Sequence, residues 1–501
     1  MKKKLVSALL CATMVAGCLA ASGCGDSSDS TTDNGGTTDQ GGTTDGGGTA
    51  ADNGDEAGGD TAAGGDTAAG DSSAEEIDFS GTFGDESGTP MEVWTFVDQH
   101  ATFYGKMVEK WNEANPDKKI YLTAVAYPFA DMHNKMSMSF QAGEGAPDII
   151  DVEVGQFPNA VEGLDTWLYP LDDAMAPYKD DMVQSRLDAY AGEDGHYYGA
   201  PFHVGATVMY YNVAAMAEAM GISNDDVIAK IDAVVTWDDY AALGQEYMDA
   251  IATEGKHWTS VDTAGCDWQW IAMAEYGEDW TGGMNGKANV QLESVKKMCT
   301  MEQEWVNSGL AMVSPDGHVD LEAGFQNILD HNIVSFPKAM WYMSRFTNYM
   351  PEEKGNWYIA KCPVFEAGQK CSVGIGGTGT VVTQQAGDKD LASEFLCWAK
   401  MSEEGEQLIW DNLGFDVCNT VLWNDDAFAH DDNNQYNQFF INYPYDVLYS
   451  IKDDIGTVYT TAISPTINEQ MCNVTLNDIL ENGVSVDEAL QAAQDVVDLE
   501  Q

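Results

Sequence analysis

Between residues 91 and 154 the chain alternates strand-like and helix-like stretches, and that order limits the possible folds more than any other feature. Residues 91–97 (MEVWTFV) read as a strand. Residues 101–115 follow as a helix with Phe103, Met107, Val108 and Trp111 on one face, and Asn115-Pro116 stops it. Residues 119–127 (KIYLTAVAY) alternate as a second strand, 131–141 look helical, 143–147 break that helix, and 148–154 (DIIDVEV) make a third strand. Strand, helix, strand, helix, strand is the signature of a parallel α/β sheet. Ligands of such sheets sit beyond the carboxyl ends of the strands, so Gln99, His100 and the stretch from Asp151 to Gln156 become candidates. Further helices are expected at 227–247, 292–307, 389–401 and 486–499, and extended chain at 331–340 and 374–383.

Composition divides the chain into three parts. Residues 1–23 carry Lys2, Lys3 and Lys4 ahead of an apolar run that ends in small residues, as a secretory signal does. Ala21-Ser22-Gly23-Cys24 resembles a bacterial lipobox, which marks Cys24 for lipidation; Val15-Ala16-Gly17-Cys18 is the competing match. Residues 24–80 hold 14 acids, no base and no tryptophan, in Gly/Thr/Asp-rich repeats. Such a segment cannot bury enough apolar surface to offset its chain entropy, so it reads as a disordered tether. The body, 81–501, holds all 14 tryptophans and 68 acids against 20 bases, most of the whole chain's formal charge of −59. That charge excludes nucleic acid as a partner and repels an anionic bilayer, so membrane residence must come from the N-terminal lipid alone. About 420 residues exceed what one core usually organises, and two lobes are expected.

Seven body cysteines leave at least one unpaired within the chain. Cys362 and Cys371 are spaced to bridge two strands of a hairpin, or else are buried thiols. No Cys/His spacing for zinc appears, and neither a metal nor a cofactor is expected.

In order along the body come VWTF, WNEANPDKKI, APDIIDVEVGQF, WLYPLDD, GHYYGAPFHVGATVMYYN, NIVSFPKAMWYMSRF, IGGTGTVVT, LASEFLCWAKM and SVDEALQAAQDVV. Each piece is weak, but their order and spacing behind a lipobox resemble the sugar-binding group of extracellular solute-binding proteins of bacterial ABC importers. The resemblance implies a two-lobed periplasmic-binding-protein-like α/β fold, with lobe 1 at about 88–200 and 380–413 and lobe 2 at about 207–372 and 420–501. It implies crossing hinge segments near 201–205, 374–379 and 414–419, a ligand cleft between the lobes, and a monomer that delivers a carbohydrate to a membrane permease. The stretch Asp416-Val417-Cys418-Asn419 departs from the Pro-Val pair usual in that family.

Sugar recognition needs flat aromatic faces and planar polar groups. Trp341 stands where the family commonly places a stacking aromatic, and Arg345 follows four residues later, to bond hydroxyls or to pair with an acid. Asp151 and Glu153 share one face of an alternating strand, so both are expected to look into the cleft. His203 lies in the first crossing and is either a ligand contact or a satisfied core residue. Trp268 is the candidate taken from CDWQW, where Trp268 and Trp270 share a face on a strand but diverge on a helix. Gly377 is a place for backbone to approach the ligand, or simply to bend.

The run Gly374-Ile375-Gly376-Gly377-Thr378-Gly379 matches a dinucleotide fingerprint, but the β-branched residues after it predict a strand instead of the required helix. No catalytic motif appears, and an acid-rich chain supplies carboxylate pairs by chance. The expected protein is therefore a binding protein and not an enzyme; the rivals are a non-transport glycan adhesin and, behind it, a secreted glycoside hydrolase.

Overall fold

The computed structural model describes residues 79–501 apart from 162, 193, 252–254 and 283–285. The signal segment, both lipobox cysteines and nearly all of the tether lie outside the described residues. The tether was expected to run through residue 80, but the first strand begins at Phe79, pairing its residues Phe79–Gly84 antiparallel to Ile120–Ala126.

The predicted alternation forms the first lobe. Strand Thr89–Thr95 lies parallel to both Ile120–Ala126 and Ile149–Glu153, with helices Asp98–Ala114 and Phe129–Ala142 between them in sequence. The sheet is nevertheless mixed, because Thr378–Thr383 returns from far along the chain and pairs antiparallel to Ile149–Glu153, to Leu168–Tyr169 and to Gly199–Pro201. Both faces are buried: Val93, Ala124, Ile149 and Val382 point to the core beneath Phe103 and Met107. Their sequence neighbours Trp94, Val125, Ile150 and Val381 point to a second core beside Met132, Met136 and Phe140. One-residue alternation splits the strands between two cores, as a covered sheet requires.

The second lobe is built on a three-stranded antiparallel sheet, Ser335–Ala339 beside Thr207–Asn212 beside Trp357–Ala360. Helices surround it, and their core holds Trp237, Tyr240, Trp258 and Trp305. The long helix expected at 227–247 is two, Asn224–Asp232 and Trp237–Ala250. The second starts afresh because Thr236 and Asp239 form a reciprocal capping box, satisfying amides that a continuous helix would have used internally. Of the two readings of Cys362 and Cys371, the structure has the buried thiols and not the bridge, and among the described residues a disulfide joins Cys266 to Cys472.

Glu302 is fully buried in this second core, with Oε2 accepting from the Gln269 side-chain amide at 2.6 Å. Burial, reinforced by the charge of Asp262, raises its pKa well above the carboxylate range. A carboxyl that stays protonated in the fold but ionises when unfolded makes stability fall as pH rises above the unfolded value of roughly 4.3. Glu302→Gln should therefore raise the melting temperature at pH 7 to 8, and the gain should vanish near pH 4, as read by calorimetric melts across that range.

Candidate functional site

Three stretches carry the chain between lobes. Residues 202–206 run from strand Gly199–Pro201 to strand Thr207–Asn212, and 374–377 return from Ser372–Val373 to Thr378–Thr383. The third begins at Gly414, whose φ of 67° ends helix Glu403–Leu413. Hydrogen bonds bind them to one another. Phe202 N–H donates to Thr378 O (3.1 Å), Ile375 N–H to Gly205 O (2.9 Å) and Val204 N–H to Asp416 O (2.9 Å). The Asp416 carboxylate accepts from the amides of Gly205 (3.2 Å) and Ala206 (2.7 Å). Asp416 is fully buried, and burial raises its pKa to about 7 against the pull of those two amides. In the stretch that departs from the family's Pro-Val pair, a carboxylate thus ties two crossings together.

Arg186, from the short helix Gln184–Asp188, braces the same floor. Its Nε donates to His203 O at 2.9 Å and its Nη2 to Gly376 O. Sequence reasoning missed it, because nothing local distinguishes it from the chain's other bases. Gly377 has a φ of 106°, and a Cβ there would fall 1.8 Å from Arg186 Nη2 and 2.8 Å from His203 Nε2, so only glycine fits. The His203 ring is buried, and neither ring nitrogen has a partner among the described residues. Burial and then the Arg186 charge hold its pKa well below the ordinary value, so the imidazole is neutral and has one donor and one acceptor unused.

Glu153 stands beside this floor, since Val154 N–H donates to Gly377 O at 2.9 Å. It is half-buried, accepts from Gly155 N–H at 2.6 Å, and burial pushes its pKa up to about 7. From the second lobe, Trp341 donates its indole N–H to Ile375 O at 3.2 Å and remains half-buried. Arg345 Cζ lies 5.4 Å from the Trp341 ring and Lys338 Nζ 6.0 Å, within cation–π range. Arg345 is also committed to Asp320, through Nε at 2.9 Å and Nη2 at 3.3 Å, so its charge is paired within its own lobe. Across the boundary, helix Ser464–Gln470 of the second lobe meets the first-lobe turn Val154–Gln156.

The structure therefore brings Glu153, His203, Gly377, Trp341 and Arg345 to one interlobe region and leaves four candidates outside it. Asp151 does not look into the cleft with Glu153. It is fully buried, accepting from Tyr104 (2.7 Å) and Thr380 (2.6 Å) and lying 3.0 Å from His100 Nδ1. Burial would raise its pKa, but the bonds and charges of His100, Lys400 and Thr380 prevail and hold it at about 2. His100 is consumed by that pair and by a ring contact with Phe202 at 4.2 Å, while Gln99, on the same helical turn, faces solvent. Trp268 is 2% exposed, packed between Trp237 and Trp305, because residues 267–276 are helical and turn it inward. Trp270 is the half-exposed member of that pair.

Residues 95–405 match the family of bacterial extracellular solute-binding proteins, and the chain belongs to that family. An arabinooligosaccharide-binding protein of Halalkalibacterium halodurans is 35% identical over 425 residues, 84% of this chain and 92% of the relative. One of the same description from Bacillus subtilis is 36% identical over 380 residues, 75% of this chain and 84% of the relative. The structure of a sugar-binding protein from Xanthomonas citri superposes with a TM-score of 0.67 at 16% identity, covering 82% of this chain and 97% of that one, a likeness of fold. The family serves transport by binding and performs no catalysis, and among the described residues no group of side chains is arranged to hold a metal.

The shared hinge bonds predict that Asp416→Ala, which leaves two buried amides without an acceptor, costs about 2–5 kcal/mol of stability. Asp416→Asn keeps an acceptor oxygen and should lose less than half of that, both read by urea denaturation.

Proposed function

We propose that this protein is a lipid-anchored receptor on the outer face of the bacterial cell membrane. It captures a neutral oligosaccharide between its lobes and hands it to the permease of an ABC importer. The observation that carries the reading is the interlobe group itself: an aromatic face from one lobe, Trp341, next to a floor that holds the unspent ring nitrogens of His203, the Glu153 carboxyl and Gly377, a position where only glycine fits. Aromatic face plus polar edge is what a sugar ring requires. Contacts to both lobes would favour the closed arrangement, because a ligand shifts an equilibrium only through its different affinity for the two states.

Two relatives that bind arabino-oligosaccharides, each more than a third identical to this chain, make those sugars the first to try. Arabinose and its oligomers of two to five units should be titrated calorimetrically. Trp341→Ala should weaken every sugar that binds by about 1–3 kcal/mol. Unchanged affinities would remove Trp341 from the site.

Attachment is assigned to a lipid on Cys24, with Cys18 the alternative, and the Gly/Thr/Asp-rich segment up to about residue 80 serves as the tether. No helix among the described residues is long and apolar enough to cross a membrane. Cys24→Ala should move the protein from the membrane fraction to the culture medium, whereas Cys18→Ala should not. The opposite pattern would reassign the anchor to Cys18.

A further inference from the structure

One buried cation at the cleft floor has no counter-charge in contact with it. Arg186 is 5% exposed, and among the described residues no carboxylate comes within ion-pair distance of its guanidinium. Glu153 and Asp416 feel its charge through space without touching it. Buried charges are ordinarily paired, and here backbone carbonyls take the place of an anion. Nε donates to His203 O at 2.9 Å, in the first crossing, and Nη2 to Gly376 O, in the second. The Tyr190 ring lies 5.5 Å from Cζ, within cation–π range. The third crossing is held by the same helix, because Val183, the residue that caps Gln184–Asp188, donates its N–H to Cys418 O at 2.9 Å. One turn of first-lobe helix thus bonds a carbonyl of every crossing. Gly377 fits the arrangement, since Nη2 stands 1.8 Å from where its Cβ would be.

We infer that Arg186 is a positioning residue: it clamps the first-lobe ends of the first two crossings, so that His203 and Gly377 stay fixed to the first lobe while the second lobe turns. The inference rests on the receptor reading above and adds to it the group that keeps the floor rigid during closure. Rotation of the second lobe has to be absorbed beyond the bonded carbonyls, at residues 204–206 of the first crossing and 374–375 of the second. Gly205, with a φ of 70°, lies in the first of these stretches, and Ile375 O accepts the Trp341 indole N–H in the second. Trp341 therefore moves with the chain on one side of the clamp, and the His203 ring stays on the other. A ring held still keeps its two unspent nitrogens in one place at every lobe angle and loses little freedom when a ligand arrives. The geometry requires arginine and not a positive charge alone. A guanidinium directs several N–H groups from one rigid plane and reaches two carbonyls, whereas an ammonium is a point charge on a flexible stem.

The test compares the full chain of the wild type with Arg186→Met, Arg186→Lys, His203→Ala and the Arg186→Met/His203→Ala double variant, with thermal melts of each. Without ligand, hydrogen exchange at residues 202–206 and 374–378 should be roughly tenfold faster in Arg186→Met, while helix Trp237–Ala250 exchanges at its wild-type rate. Arg186→Lys should show the same local change to a smaller degree. In calorimetric titrations of arabinose and its oligomers, Arg186→Met should bind roughly tenfold more weakly. The double variant should bind no more weakly than His203→Ala, because Arg186 acts through that ring. Exchange at the wild-type rate in both crossing stretches overturns the clamp, and so does faster exchange throughout the chain, which marks general destabilisation. Losses of affinity that add in the double variant overturn it too, as does Arg186→Lys matching the wild type in exchange and affinity. Should Arg186→Met not fold, Arg186→Lys, alone and with His203→Ala, carries the same comparisons. The receptor reading fails separately, through a wild type that binds none of the sugars, and in that case exchange still decides the clamp.

Discussion

Everything a two-lobed binding protein does depends on how its crossing segments are held, and here a buried carboxylate ties two of them together. Asp416 accepts from the amides of Gly205 and Ala206 while its own carbonyl accepts from Val204, so the third crossing is stitched to the first over three consecutive residues. Ile375 then joins the second crossing to the first through Gly205 O. Amides in such a tight, irregular stretch have no helix or sheet to satisfy them, and a buried acceptor is the physical alternative to leaving them unpaired. The site residues inherit their placement from this arrangement: His203 and Gly377 are themselves parts of crossings, and Trp341 anchors its indole N–H on Ile375, a residue of another.

On either side of the hinge, buried charge stiffens a wall. In the first lobe Lys400 donates to Thr380 and stands 3.5 Å from the Phe202 ring, with burial driving its pKa down to about 7. Thr380 in turn donates to Asp151, which His100 and Tyr104 also bind. This network lies behind the floor of the cleft and makes no use of solvent. In the second lobe Lys338 pairs with Asp267 at 2.6 Å and Arg345 with Asp320 at 2.9 Å, and both cations stand near the Trp341 ring. Breaking a buried pair is costly because it leaves an uncompensated charge, so these contacts hold Trp341 in one orientation. A flat, immobile ring loses little entropy when a sugar settles on it.

Much of the first lobe was legible in the sequence because strands and helices there are local, periodic and bounded by breakers such as Asn115-Pro116 and the Gly143–Pro147 region. The Gly-rich stretch before Thr378 was correctly separated from a nucleotide loop, since β-branched residues follow it and form the strand Thr378–Thr383. Failures occurred where a distant partner decides. Asp151 and Glu153 have the same parity along one strand, yet Asp151 meets His100, Tyr104 and Thr380 inside the lobe, while Glu153 lies at the strand end where the chain turns. Trp268 turned inward and Trp270 stayed half-exposed once residues 267–276 proved helical, because residues two apart on a helix point about 200° apart. The cysteine pairing was beyond reach for the same reason, Cys266 and Cys472 being separated by 206 residues.

The sequence by itself determined the alternating strands and helices of the first lobe, which are written in short-range period, and its ordered family motifs pointed to a two-lobed α/β body. Only the tertiary structure decided which polar side chains are spent inside the lobes and which remain to meet a ligand. That choice depends on contacts such as those of Arg186 with Gly376 and Asp416 with Gly205, between residues about two hundred positions apart. Hydrogen bonds and ion pairs act over a few ångströms in space and are blind to separation along the chain, so no local pattern announces them.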